Sequence, residues 1–242
     1  MKIIVCVKVI KGELNPFDQS ALECALRLSS DVTVISMGPE ITKSALLPLT
    51  RLGAKVVLLT DRAYAGSDTI ATSYILSKAI GSMEYDLILC GRQSVDGDTA
   101  QTGPMLSQRL DLPVVTNAME ITKCENALKV RTRIGYDEIC SPTVITVERG
   151  YILRFPSMFS KVGDVKILTN NEGGCDESRC GLNGSPTRVL KTFENENGRR
   201  KCKFIEMNEL IPLIEQLKTK KRNKQTLKIS NIRFKNVWAV GN

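Results

Sequence analysis

Four short stretches of the chain, KIIVCVK (2–8), DVTVISM (31–37), AKVVLLT (54–60) and YDLILC (85–90), are almost wholly apolar, and each is separated from the next by enough residues for one helix. A strand with one wet face alternates apolar and polar residues, so runs without alternation belong in a parallel sheet covered on both faces. Helical spacing fills the gaps. In NPFDQSALECALRL, Ala21, Leu22, Ala25 and Leu26 share a face, Asn15 is placed to cap the helix and Pro16 suits its first turn. A second helix is expected over 40–52, kinked or shortened by Pro48, and a third over 67–80, capped by Ser67 or Asp68. The pattern predicts an α/β fold with a doubly wound, mostly parallel sheet. LPVVTNAMEI (112–121) reads as its fifth strand. ALKVRTRIG and PTVITVE, closer together and set between turn-rich segments, read as antiparallel additions at the sheet edge.

Beyond residue 150 the pattern becomes irregular apart from a helix expected over 207–221. Charge changes there too. Residues 1–150 carry 16 Lys and Arg against 17 Asp and Glu, whereas residues 151–242 carry 18 against 9. This predicts an α/β domain over 1–150 and a basic C-terminal arm over 151–242. The basic run KTKKRNKQTLK (218–228) has no aromatic residue interleaved, so a solvated helix end is a better reading than nucleic-acid binding.

Histidine is absent, which excludes Ser-His-Asp and Cys-His nucleophile systems and histidine-ligated metals. The eight cysteines form no C-x-x-C pair and several lie in apolar runs, so reduced, buried thiols are expected. Cys175 and Cys180 stand close in sequence but lack partner ligands. No apolar run is long enough to insert in a membrane, and MKIIVCVKVIKG, with its interspersed lysines, reads as a first strand rather than a signal peptide. A cytoplasmic location is expected.

Chemistry is expected where strands end. Ligands of open parallel sheets bind beyond the carboxyl ends of the strands, and three loops leave such ends: MGPE (37–40), DRAYAGSDT (61–69) and GRQSVDGDTAQTG (91–103). In the last, Asp98 or Thr99 is expected to cap a helix starting near Ala100, and Asp96 to hold loop amides or a ribose hydroxyl. The spacing fits neither an EF-hand nor a Walker A loop, and no G-x-G-x-x-G follows the first strand. A Mg²⁺ site at Asp96 and Asp98 would lack a third ligand. From these residues alone, a nucleotide-phosphate site and a loop that merely caps itself both remain open.

CGRQSVDGDTAQTGPM resembles the nucleotide loop of the electron-transfer flavoprotein β subunit, the FixA-like family. CVKVI, NPFDQSALECALRL, VISMGP, RLGAKVVLLTDRAYAGSDT and, further on, GLNGSPTRVLKTF (181–193) are similar to that family's segments in order. The resemblance implies an adenine-nucleotide α-hydrolase-like sheet, an electron-carrier subunit rather than a stand-alone catalyst, and a heterodimer with an α subunit held by the C-terminal arm. It implies FAD or AMP, contacted by Cys6, Asn15, Pro16, Phe17, Asp18, Met37, and Ser94, Val95, Asp96, Gly97, Asp98, Thr99, Ala100, Gln101, Thr102, Gly103, Pro104 and Met105. Gly66, Ser67 and Thr69, in a stretch similar to the bifurcating, NAD-linked branch, would favour FAD. Dehydrogenase partners would dock near Met158. Three departures stand out: only KGEL remains of the family's first hairpin, the strand region before PTVITV is several residues short, and the partner loop is reduced to GYILRFPSMFSKVGD. The alternative is a stand-alone adenine-nucleotide-binding protein of the universal-stress type.

Overall fold

The computed structural model describes residues 1–125, 127–140, 142–187, 203–205, 209–215 and 232–234. In chain order its elements are β1 (Lys2–Val7), β2 (Val9–Ile10), β3 (Glu13–Leu14), α1 (Pro16–Leu28), β4 (Asp31–Met37), α2 (Lys43–Thr50), β5 (Lys55–Leu59), α3 (Thr69–Gly81), β6 (Leu87–Gly91), α4 (Thr102–Leu110), β7 (Val114–Ala118), β8 (Glu120–Lys123), β9 (Leu128–Arg131), β10 (Tyr136–Ile139), β11 (Thr143–Val147), β12 (Val165–Leu168), α5 (Asn170–Gly173), β13 (Lys203–Ile205) and β14 (Ile232–Phe234). The chain divides into two compact units, Met1–Arg188 and Val189–Asn242.

The first unit is built on a seven-stranded sheet in the order β12-β5-β4-β1-β6-β11-β7, with every pair parallel. Side chains alternate between its two faces. Ile3, Val5 and Val7 pack with Leu22 and Ala25 of α1 and Leu46 and Leu49 of α2. Ile4 and Cys6 of the same strand pack with Ile75 and Ile80 of α3 and Leu106 of α4. Both faces are therefore dry, which is why the strands carry no polar alternation. The sheet is the doubly wound one expected. β2 and β3 pair as a minimal antiparallel hairpin, turned at Lys11 and Gly12 with φ of 51° and 85°, where KGEL stands.

Three expectations are corrected. PTVITVE is not an antiparallel edge addition: β11 lies inside the sheet, parallel to β6 on one side and β7 on the other, and all five of its residues are buried. The expected strand over 112–121 is two strands. Asn117, at φ 58°, bends the chain so that β7 stays in the main sheet while β8 joins β9 and β10 in a separate antiparallel sheet. Nor does the first domain end at 150. The segment beyond lies on the α/β body: the Tyr151 amide donates to Ser20 Oγ at 3.0 Å, and Arg154 donates through its amide, Nε and Nη2 to the Glu23 carboxylate at 3.1, 2.9 and 3.0 Å. β12 then closes the sheet against β5.

In the second unit β13 and β14 pair in parallel. Residues 209–215 are helical, within the expected helix over 207–221. The rest of that helix and the basic run 218–228 lie outside the described residues.

An interior β11 has a measurable consequence. Ile145→Ala should cost about 2–5 kcal/mol of stability, whereas Tyr136→Ala on β10, at a side chain 65% exposed, should cost about 0.5 kcal/mol or less; urea unfolding of both variants measures the difference.

Candidate functional site

The strand order reverses at β1. On one side lie β4, β5 and β12, and on the other β6, β11 and β7. β1 leads to α1 on one face and β6 to α4 on the opposite face, so their loops part and leave a crevice at the carboxyl edge. The loop 91–103 leaves β6 at that crevice.

Its first residue is locked to α1. A Cβ at Gly91 would lie 2.7 Å from the Phe17 carbonyl carbon and 2.8 Å from the Asp18 nitrogen, and closer still to the Asp18 carboxylate. Only glycine permits that approach. Asn15 then ties the loop down: its Nδ2 donates to the Gln93 carbonyl at 2.8 Å, and its Oδ1 accepts from the Val95 amide at 3.3 Å. Asn15 thus stands at the N-cap position of α1 but makes no side-chain cap bond; its amide is spent on the loop. Lys8, just after β1, donates from Nζ to Asp96 Oδ1 at 2.9 Å.

Within the loop, Asp96 Oδ1 accepts from the Gly97 amide at 2.8 Å, the Asp98 amide donates to the Ser94 carbonyl at 2.9 Å, and the Gln93 side-chain amide donates to Asp98 Oδ1. Partial burial works to raise the Asp96 carboxyl, but Lys8 and Ser94 hold it below the usual carboxylate range. The cap expected here is corrected. Asp98 and Ala100 take left-handed backbone, φ 53° and 54°, so α4 begins only at Thr102, with Gln101 at the N-cap position and no side-chain cap bond. Gln93 holds Asp98, while Thr99 Oγ1 accepts from Thr69 Oγ1 at 3.3 Å and links the loop to the start of α3.

The loop after β5 is braced by the chain's own later segment. Asp68, not Ser67, caps α3, accepting from the Ile70 and Ala71 amides at 2.9 and 3.0 Å. Ser67 Oγ donates to the Tyr64 carbonyl at 2.7 Å and accepts from the Gly181 amide at 3.1 Å. Leu182 packs against Gly66, and Thr187 Oγ1 donates to Asp68 at 2.8 Å. Between this loop and the end of β4 a cleft of about 540 Å³ is lined by Met37, Gly38, Thr60, Ala65, Gly66 and Ser67, among others.

The expected residues therefore sort by position. Cys6, Phe17, Asp18 and Gly103 are buried in the frame; Ser94 to Thr102, with Pro104 and Met105, are half-buried or exposed along the crevice loop and the first turn of α4. Cys6 is the register partner of Cys90, whose thiol is pushed well up by its hydrogen bond to Cys6 and by burial. Among the described residues no group of three or more His, Cys, Asp or Glu could hold a metal ion. Lys8, Gly91 and Gln93 were missed, because each acts through partners more than 70 residues away or through a contact that no local pattern encodes, save for the Gln93–Asp98 bond.

The electron transfer flavoprotein domain matches residues 3–157. The chain belongs to that family. It is 42% identical over 195 residues to the electron transfer flavoprotein subunit beta of Thermoanaerobacterium thermosaccharolyticum, covering 74% of this chain and 75% of the relative. It is 37% identical over 221 residues to FixA of Azotobacter vinelandii, covering 82% and 79%, and 35% identical over 228 residues to the caffeyl-CoA reductase-Etf complex subunit CarD of Acetobacterium woodii, covering 86% of each. The electron transfer flavoprotein match contains β1, β4, β5, β6 and β11, the strands whose ends form the crevice, and membership disfavours the universal-stress alternative. No helix among the described residues is long and apolar enough to cross a membrane.

Asp18 gives this site a pH signature. Full burial pushes its carboxyl up to about 7, against the pull of the Lys8 amide, Asn15, the Gly91 amide and the Lys8 charge. A raised carboxyl favours folding while protonated, so this contribution is complete below the unfolded pKa near 3.8 and is lost as pH rises through about 7. Stability should fall between pH 5 and 7 by up to about 1.4 kcal/mol per pH unit, and Asp18→Asn should flatten that slope in urea titrations.

Proposed function

We infer that the chain is the β subunit of an electron-transfer flavoprotein: a carrier subunit that holds an adenine nucleotide at the carboxyl edge of its sheet and works as a heterodimer with an α subunit. Electron transfer is the role its family membership supports. The observation that carries the nucleotide reading is the anchored loop 91–103. It is held at the switch point by Gly91, Asn15 and Lys8 and delivers the free N–H groups at the start of α4 to the crevice.

The nucleotide proposed is FAD. Bound there, a flavin would supply the redox chemistry, while the protein supplies position and electrostatics. The residues of this chain that would hold it are Ser94 to Met105 for the phosphates and ribose, with Asp96 already oriented by Lys8. The adjoining cleft of about 540 Å³ beside Met37 gives room for more than a mononucleotide. AMP is the second reading, and one observation favours it: Gly66 and Ser67, which would serve a longer ligand, are already engaged by Leu182, Tyr64 and Gly181. The test is co-expression with an electron-transfer flavoprotein α subunit, denaturation of the purified complex and identification of the released nucleotides. Two flavins per heterodimer support FAD here, one flavin with one AMP supports the second reading, and no adenine nucleotide beyond the α subunit's flavin refutes both. Asp96→Ala with Thr99→Ala should lower retention at least tenfold while leaving the circular dichroism spectrum unchanged.

Partner contacts are read from two places. The apolar side chains Ile152, Phe155, Met158 and Phe159 are 87–95% exposed, an unusual run for a solvated loop and a fitting surface for a dehydrogenase. The second unit, with the basic segment, is proposed to contact the α subunit. Limited proteolysis should then cut the isolated chain beyond Arg188 rather than near 150, where Arg154 and β12 hold the segment, and the α subunit should suppress that cleavage.

A further inference from the structure

Away from the crevice, on the α3–α4 face, three cations gather around one aromatic ring. The guanidinium carbon of Arg179 lies 4.1 Å from the Tyr74 ring centre, that of Arg109 5.6 Å, and the Lys78 ammonium 5.8 Å. Tyr74 and Lys78 are one turn apart on α3, Arg109 is in the last turn of α4, and Arg179 comes from the segment that braces the loop after β5. A ring attracts one such cation by its quadrupole, yet three held together repel one another. None of them makes a salt bridge among the described residues; Asp176 is the acid whose carboxyl feels Arg179, and it is turned to the Ser178 amide and hydroxyl.

Beside the ring lies a pocket of about 350 Å³, lined by Tyr74, Arg109, Arg179, Asn183 and Gly184 among others, with no carboxylate in its wall. Its shape is fixed. Arg109 is pinned by bonds from Nε to Ser73 Oγ at 2.9 Å and from Nη2 to the Ile70 carbonyl at 3.1 Å, which leaves Nη1 directed elsewhere. The Tyr74 hydroxyl accepts from the Asp176 amide at 3.1 Å. Gly184 is folded so closely on Arg179 that a Cβ would lie 2.6 Å from the Cys180 nitrogen and overlap the Arg179 carbonyl group. The Gly184 amide donates to the Cys180 carbonyl at 2.9 Å, and Ser185 Oγ donates to the Gly181 carbonyl at 2.6 Å. Arg179 and Asn183 are thereby presented by one closed loop.

We propose that this pocket, formed by Arg109, Arg179 and Asn183 over Tyr74, is a second ligand site that binds a phosphate group, free or as a phosphate monoester. The fork of Arg179, which makes no hydrogen bond among the described residues, matches the oxygen geometry of a tetrahedral oxyanion, and Arg109 keeps Nη1 to add a further donor. Two guanidinium charges in a wall that holds no acid suit a dianion better than a single carboxylate. Because the 178–187 segment also holds Gly66, Ser67 and Asp68, the bound anion would stiffen the brace behind the crevice.

The test uses the full chain and inorganic phosphate, diphosphate and a simple sugar phosphate, with acetate and sodium chloride at matched ionic strength. Calorimetry should give saturable binding of phosphate that acetate and chloride do not reproduce. The affinity should fall at least tenfold in Arg179→Gln, an exposed position whose side chain makes no hydrogen bond among the described residues, and stay unchanged in Lys123→Gln, exposed on β8. Tighter binding of the sugar phosphate than of inorganic phosphate assigns the site to an ester, and the reverse to the free ion. Amide shifts on adding phosphate provide the second measure: movement at Arg109, Arg179, Asn183 and Gly184 supports the site even if a variant folds poorly. Equal affinity in Arg179→Gln, a response matched by chloride, or shifts confined to residues 94–103 overturns it.

Discussion

A Cβ on residue 91 would strike the first turn of α1, so β6 and α1 meet as they do only because that residue is glycine. This contact sets the spacing between the ends of β1 and β6. From it follow the reach of Asn15 to Gln93 and Val95, the pairing of Lys8 with Asp96, and hence the course of the whole crevice loop. The left-handed turns at Asp98 and Ala100 can persist because the loop is held from both ends, by α1 on one side and by Thr69 of α3 on the other.

α1 also shows how surroundings decide the state of a buried acid. Asp18 and Glu23 sit little more than a turn apart on one helix, and both are almost wholly buried. Asp18 meets backbone amides, the Asn15 side chain and a single lysine charge, and burial wins, leaving its carboxyl at about 7. Glu23 is also penalised by burial, but Arg154 and Arg27 grip both of its oxygens and bring it down to about 2. One acid is therefore a pH-sensitive element of the frame, and the other a permanently charged anchor for the segment after β11.

Much of this was legible in the sequence, for reasons that are physical. The first four strands announced themselves because both their faces are dry, and α1 because Pro16 and its apolar stripe agree. PTVITV carries the same signal, but its nearness to β9 and β10 points to a hairpin, whereas its uninterrupted burial places it inside the sheet. β12 was lost because an edge strand of four residues has little pattern to read. At the site, the loop was recognisable as a string, but the partners that hold it were not. Lys8 and Asp96, or Asn15 and Gln93, lie 88 and 78 residues apart, and no periodicity links them. α4 starts later than its capping residues suggest, because Gln93 and Thr69 claim the side chains of Asp98 and Thr99.

The strand order also dictates a timetable for the growing chain. β5 waits for β12 as its outer neighbour, and β7 has no partner in the main sheet until β11 arrives to separate it from β6. Between the end of β5 at Leu59 and the start of β12 at Val165, 105 residues must be synthesised. At a ribosomal pace of roughly 5–20 residues per second, that leaves one sheet edge uncovered for about 5–20 s. During that interval the nascent sheet exposes apolar strand edges of the kind that invite pairing with another chain. Val56, Leu58 and their neighbours are thus shielded last by the same late segment that braces the loop after β5, which places a premium on chaperone protection of the half-made chain.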